Sequence, residues 1–212
     1  MTHIALVGDS IFDNARYTAR GPAVIDHLRE QIPAGWRASL LAMDGAVTAH
    51  VPAQLRRLHA THTHLVLSVG GNDALQRADV LDTPVSNSDQ AFTLLSKAIA
   101  AFETDYRATV SQCIDTGLPL VVCTIYNANF PDADYQKIIS IALRAYNDVI
   151  IRVASEYNLR VIELRRVCTL PEDYSNDIEP SVAGGRKIAA AVVRAVTEGR
   201  FCGGGAQVAA WN

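Results

Sequence analysis

Short apolar runs alternate along this chain with longer segments in which apolar residues recur every three or four positions. The runs predict five buried strands, at residues 4–7, 38–43, 65–69, 118–125 and 160–164. The segments between them predict helices, the longest over 88–114 and the last over 182–197. Strands that alternate with helices favour a parallel sheet with right-handed crossovers. We therefore expect an α/β fold of three layers (α/β/α), with five parallel strands in the order 2-1-3-4-5.

The domain organisation predicted from the pattern is simple. The length of 212 residues is within the range of one α/β domain, and we place that domain at residues 1–200. Residues 201–212 are rich in glycine and are predicted to form a flexible C-terminal tail. Residues 74–87 show no periodicity, so we expect a loop there at the edge of the sheet.

Composition and charge exclude several classes of function. Hydrophobic residues make up 49% of the chain and charged residues 19%, which is typical of a globular protein. The net charge of −3 gives no electrostatic reason to expect nucleic acid as a partner. No apolar run approaches the roughly 20 residues that a membrane span needs, and Met1–His3 leads into the first strand without a signal-peptide pattern.

The cysteines and histidines predict neither disulfides nor a metal site. The four cysteines lack a C-x-x-C spacing, and we interpret them as reduced thiols of a cytoplasmic protein. All six histidines lie at or before His64 and show no recognised ligand spacing. We therefore expect no metal and no other cofactor.

Three strand ends carry residues suited to acyl transfer. Ser10 follows the first strand after a tight turn at Gly8, Gly45 follows the second strand, and Asn72 follows the third. The carboxyl ends of parallel strands meet at one edge of a sheet, so these residues are expected to lie together. Ser10 would attack a carbonyl, and the N–H groups of Ser10 and Gly45 with the Asn72 amide would form an oxyanion hole.

Taken singly, each of these residues has a simpler structural interpretation. Asp9 or Ser10 would serve as the cap of a following helix. The glycines would serve as ordinary turn residues. A receiver or flavodoxin-type binding module would also share the predicted fold, although it has no need of Gly45 and Asn72 beside one serine. The combination, and not any single residue, favours acyl transfer.

Gly8–Asp9–Ser10, Gly45 and Gly70–Gly71–Asn72–Asp73 resemble, in order and spacing, the first three sequence blocks of the SGNH hydrolases, also called GDSL esterases and lipases. This resemblance extends over nearly the whole chain. It implies a flavodoxin-like fold and the hydrolysis of esters through an acyl-serine. Other hydrolase and nucleotide-binding motifs fit poorly, because the sequence lacks Gly-x-Ser-x-Gly around Ser10 and Gly-x-Gly-x-x-Gly after the first strand.

The fourth block departs from the family. There the base is a histidine in the pattern Asp-x-x-His-Pro, whereas this chain has Asn176 and Glu179 at the aspartate and histidine positions. We expect Glu179 to act as the base in a dyad with Ser10, provided that burial raises its pKa. Asp9, Asn176 and Asp177 are candidate supporting residues. Alternatively, Glu179 is a solvated loop residue or a helix N-terminal acid.

The predicted function is the hydrolysis of small or medium acyl esters in the cytoplasm, with a small-molecule ester as the partner. The alternative that the fourth block leaves open is a catalytically inactive binding protein on the same scaffold. The two hypotheses differ in whether Ser10 is reactive.

Overall fold

The computed structural model describes residues 1–198 and 207–209, and the strands in this part of the chain form one parallel sheet. The sheet order is β2-β1-β3-β4-β5-β6. The strands are His3–Gly8 (β1), Arg37–Leu40 (β2), His64–Ser68 (β3), Leu120–Cys123 (β4), Arg160–Ile162 (β5) and Gln207–Ala209 (β6). The α/β class and the order of the first five strands are confirmed.

The sixth strand corrects the prediction of five. Gln207–Ala209 pairs in parallel with Arg160–Ile162, and the Glu163 N–H donates to the Ala209 carbonyl at 2.9 Å. This strand lies inside the segment 201–212 that we predicted to be a flexible tail; the other residues of that segment are outside the described part of the chain. Three residues are too few to show a strand period, so the unpaired edge of β5 decides this element and no local pattern does.

Helices cover both faces of the sheet. They are Val24–Gln31 (α1), Val51–Leu55 (α2), Gly71–Leu75 (α3), Ser88–Asp115 (α4), Ala133–Glu156 (α5), Leu164–Val167 (α6) and Val182–Thr197 (α7). The segment 74–87, expected to be a loop, contains the end of α3 and a 3₁₀ turn at Ala78–Leu81.

The central strand β1 is buried on both faces, which explains its continuous apolar sequence. Ile4 and Leu6 belong to a core formed with α1 and α7. Ala5 and Val7 belong to a second core, formed with α4 and α5. The three-layer arrangement follows from this separation.

The helices α4 and α5 are much longer than the strands they cover. Their 28 and 24 residues correspond to about 42 and 36 Å at 1.5 Å per residue. A strand of six residues spans only about 20 Å. In a parallel sheet each of these helices starts near the carboxyl edge and runs back along the strands. Residues in the second to fourth turns of both helices line a pocket at that edge.

Candidate active site

A strained turn at the end of β1 holds Ser10. Gly8 has a φ of 124°, and a Cβ at this position would lie 1.7 Å from the Ser68 carbonyl oxygen, so only glycine fits. The buried Gln54 side chain binds both backbone groups of Gly8: its amide donates to the Gly8 carbonyl at 2.8 Å, and its oxygen accepts from the Gly8 N–H at 2.7 Å. Ser10 therefore leaves the strand in a fixed direction.

Ser10 and Glu179 are in direct contact although 169 positions separate them in sequence. The Ser10 Oγ donates a hydrogen bond to Glu179 Oε1 at 3.0 Å. Both residues are buried, with 7% and 5% of their surface exposed. This geometry is what a carboxylate needs to accept the proton of an attacking hydroxyl.

The chemical environment makes Glu179 a stronger base than an ordinary glutamate. The pKa of Glu179 is raised from 4.5 to about 7, mainly by burial; the Ser10 hydrogen bond opposes this shift, and the negative charge of Asp44 adds to it. Its second oxygen, Oε2, is buried without a hydrogen-bond partner in the described part of the chain. The site therefore favours the protonated form of Glu179 more than water does.

The loop before α7 is fixed through its backbone and not through the Glu179 carboxylate. The Asn176 side-chain oxygen accepts from the N–H groups of Ile178 and Glu179, both at 2.9 Å. The Tyr126 hydroxyl donates to the Ile178 carbonyl. Asn176 thus positions the base indirectly, as an Asx-type turn residue.

Asp177 does not contact the Glu179 side chain. It is exposed, and its carbonyl accepts from the Asn129 N–H at 2.7 Å. Among the described residues neither Asn176 nor Asp177 donates to the Glu179 carboxylate, so the structure brings Glu179 together with Ser10 but not with a third catalytic partner.

Asn72 lies in α3, where its amide is suited to oxyanion binding. The Asn72 Nδ2 donates to the Ala46 carbonyl at 2.9 Å, which fixes the side chain and leaves its second N–H for another acceptor. Asn72 lines the same pocket as Ser10 and Glu179. The Ser10 N–H donates to no acceptor in the described part of the chain, so it is also free to bind an oxyanion.

Gly45 directly precedes Ala46 in the loop after β2 and has a φ of 75°. It is exposed and is not among the residues that line the pocket with Ser10. The preceding N–H, that of Asp44, donates to the Asp13 carboxylate at 3.0 Å and holds this loop beside the Ser10 turn. The loop is thereby joined to the Ser10 turn through Asp13 and to Asn72 through the Ala46 carbonyl.

Two side chains that support the site carried no signal in the sequence. One is Gln54, described above. The other is Asp73, a buried carboxylate that accepts from the Thr48 hydroxyl at 2.6 Å and from the Thr48 N–H at 3.1 Å. This contact joins α3 to the turn that follows Gly45. In the sequence Asp73 stands out only as the last residue of the block Gly70–Gly71–Asn72–Asp73, and no local pattern identifies its partner.

Asp9 is the second buried acid at the site. Burial raises its pKa from 3.8 to about 8; the Ile11 N–H, which donates to Asp9 Oδ1 at 3.1 Å, lowers it, and the charges of Glu179 and Asp73 raise it. Asp9 is 3% exposed and lines the pocket without a hydrogen bond to Glu179. The raised pKa favours the neutral form of Asp9, which limits the negative charge beside the base.

No metal cluster is present among the described residues: no three histidines, cysteines, aspartates or glutamates there are placed to hold an ion. The thiols of Cys113, Cys123 and Cys168 are buried and unpaired, and Cys202 is outside the described residues. Within residues 1–198 and 207–209, no helix has the length and apolar character to cross a membrane.

Comparisons with known proteins were made on both sequence and structure. The sequence matches the model of the GDSL-like lipase/acylhydrolase family over residues 6–187. A search among curated proteins finds no significant match.

Similar solved structures include an extracellular lipase from Streptomyces rimosus (19% identity, TM-score 0.62, 92% of this chain and 98% of that one). Another is a lipase/acylhydrolase from Enterococcus faecalis (21%, 0.63, 92% and 95%). A third is an acetylxylan esterase from Geobacillus stearothermophilus (16%, 0.66, 92% and 94%). At these identities the structures show that the fold is shared.

Proposed function

The chain belongs to the GDSL-like lipase/acylhydrolase family of carboxylic-ester hydrolases, and we propose that Ser10 and Glu179 form its catalytic pair. The observation that carries this proposal is the 3.0 Å hydrogen bond from the Ser10 hydroxyl to a buried carboxylate. The expected substrates are small or medium acyl esters. The proposal includes a cytoplasmic location, which rests on the sequence alone and is tested by cell fractionation.

In the acylation step, the Ser10 Oγ forms a bond to the ester carbonyl carbon while its proton passes to Glu179 Oε1. The carbonyl oxygen becomes an oxyanion. When this intermediate collapses, the bond to the alcohol oxygen breaks, and Glu179 returns the proton to the departing alcohol. The product is an acyl ester on Ser10.

Deacylation repeats these steps with water. Water gives one proton to Glu179 and adds its oxygen to the acyl carbon, and the bond to Ser10 Oγ then breaks. The proton on Glu179 returns to Ser10 Oγ. A carboxylic acid leaves, and the pair is restored without any net change in the protein.

A carboxylate base needs no acidic partner of the kind that supports a histidine base. A histidine base becomes a cation during the reaction and is stabilised by an acidic partner. Glu179 begins as an anion and becomes neutral, so it has no positive charge to balance. The buried and unpaired Oε2 favours that neutral form.

Stabilisation of the oxyanion is assigned to three donors. These are the Ser10 N–H, the free N–H of the Asn72 amide and, from the adjoining loop after β2, the Gly45 N–H. Preformed donors of this kind stabilise charge that develops only in the transition state. The hydrogen bond from Asn72 to the Ala46 carbonyl keeps the Asn72 side chain in place before substrate binds.

Labelling with a fluorophosphonate probe tests the pair directly, because the probe phosphonylates only an activated serine. We expect stoichiometric labelling of Ser10, detected by mass spectrometry of the peptide. Ser10→Ala and Glu179→Gln should both abolish it, whereas Ser96→Ala on the exposed face of α4 should not. Absence of labelling in the folded wild-type protein would instead support the inactive binding protein.

A further inference from the structure

The pocket that contains Ser10 and Glu179 continues past Asn72 as an apolar chamber. The whole pocket, including its polar end, has a cavity volume of about 110 Å³. Five of the lining side chains beyond the polar end are alanines, contributed by α3, the following 3₁₀ turn, α4, the loop after β4 and α5: Ala74, Ala78, Ala98, Ala128 and Ala142. Because these elements come from separate parts of the chain, the space between them is a product of the tertiary fold.

Charge in this chamber is neutralised. Arg77 lines it, but its guanidinium donates to the Asp73 carbonyl at 3.0 Å and forms an ion pair with Asp105 at 3.0 Å. The remaining walls of the chamber are mostly aliphatic and aromatic. Such a lining favours a hydrocarbon group and disfavours a sugar or a charged group, whose hydrogen bonds with water would be lost.

The position of Glu179 decides which part of an ester enters the chamber. Glu179 precedes α7, which covers one face of the sheet, whereas α4 and α5 cover the opposite face. Because Glu179 must give its proton to the departing alcohol, the alcohol belongs on the α7 side of Ser10. The acyl group is then directed towards α4 and α5.

Buried side chains of α5 form the floor of the chamber. Leu143 and Tyr146 are 8% and 3% exposed, and the Tyr146 ring packs against Phe102 with the ring centroids 4.9 Å apart. One turn before Phe102, the small side chain of Ala98 leaves space beside this floor. The depth of the chamber is therefore limited.

We propose that this chamber is the acyl site and that the enzyme prefers unbranched acyl chains of medium length to acetyl groups. The inference rests on the proposed function and makes it more specific. The shared fold does not decide this point, because lipases and an acetylxylan esterase both have it. The residues that set the length are Ala98 and Ala142 at the walls and Leu143 at the floor.

The test is kcat/KM for p-nitrophenyl esters from acetyl to dodecanoyl. Each added methylene should raise kcat/KM about fourfold, the equivalent of 0.8 kcal/mol per buried CH₂. The rise should end between hexanoyl and decanoyl. A kcat/KM that is independent of chain length in an active enzyme would overturn the proposal and leave the Ser10–Glu179 pair intact.

Substitutions in the chamber walls test whether the chamber sets the preference for acyl-chain length. Ala98→Leu and Ala142→Leu should each lower the ratio of kcat/KM for the octanoyl ester to that for the acetyl ester at least tenfold. Ala101→Leu, on the exposed face of α4, is the matched control and should not change this ratio. Leu143→Ala should move the optimum to longer chains, a gain that loss of folding cannot produce.

If the protein hydrolyses no ester, the proposed function is refuted, but a binding measurement still tests the acyl site. Methyl ketones have the carbonyl of an ester but no leaving group, and they are uncharged beside Glu179. Long ketones such as 2-undecanone should raise the melting temperature of the Ser10→Ala protein, and acetone should not. Ala98→Leu should remove the difference; equal effects of both ketones would refute the acyl site.

Discussion

Replacement of Glu179 by glutamine is the perturbation with the clearest expected result. The amide keeps the size of the side chain and its acceptor oxygen for the Ser10 hydroxyl, but it cannot take a proton. A positioned general base contributes about 10²–10⁴-fold to a rate. We therefore expect kcat/KM to fall by that factor, with a much smaller change in substrate binding.

The pH profile gives an independent measure of the same group. Because burial raises the pKa of Glu179 to about 7, the fraction in the basic form increases about tenfold from pH 6 to pH 8. The wild-type kcat/KM should rise by this factor and then level off, since kcat/KM reports the ionisations of the free enzyme. The residual rate of Glu179→Gln should lack this rise.

The assay is steady-state hydrolysis of an activated ester from pH 5 to 9, corrected for the rate of the Ser10→Ala protein at each pH. Glu172→Gln, an exposed position in the same segment, is the matched control and should behave as wild type. If Glu179→Gln keeps the wild-type rate, or if the wild-type profile has no ionisation near pH 7, Glu179 is not the base.

Three further predictions concern the surroundings of the pair. Asn72→Ala should lower kcat by about 10²–10³-fold with a smaller effect on KM, because the donor acts on the oxyanion. Burial raises the pKa of Asp9 to about 8, so the folded chain retains a proton that the unfolded chain has lost, and stability falls as the pH rises from about 4 through 8. The unfolding free energy of Asp9→Asn relative to wild type, measured by chemical denaturation, should therefore increase by about 4 kcal/mol between pH 5 and 8. The same difference for the exposed Asp115→Asn should not increase in this way. Gly8→Ala should prevent folding, since its Cβ would lie 1.7 Å from a carbonyl oxygen, whereas Gly35→Ala, with nothing within 4 Å of the Cβ, should still fold despite its φ of 85°. Circular dichroism and melting temperatures distinguish the two outcomes.

A buried carboxylate in place of a histidine also has a consequence for stability. The raised pKa of Glu179 means that its ionisation is less favourable in the folded protein than in the unfolded chain. The pH range in which the proposed base becomes active is therefore the range in which the site destabilises the fold. Activity and stability should have different pH optima, with activity the more alkaline.

The sequence alone determined the elements that depend on short-range pattern. The apolar run of β1, the turn glycine at Gly8 and the helical spacing of α4 and α7 are local properties, and they were sufficient to predict the class, the order of five strands and the edge where Ser10 and Asn72 lie. The fourth block also identified Glu179, because its position before the last helix is a feature of the sequence.

Only the tertiary structure decided how these parts interact. The pKa of Glu179 depends on burial and on Asp44, and its contact with Ser10 joins residues 169 positions apart. The hydrogen bonds between Gln54 and Gly8 join separate elements of the fold. The alanine-lined chamber is likewise formed by side chains from separate elements. β6 needs the free edge of β5, which its own three residues do not indicate. Desolvation, electrostatic interaction and strand pairing depend on neighbours in space, and a periodic pattern contains information only about neighbours along the chain.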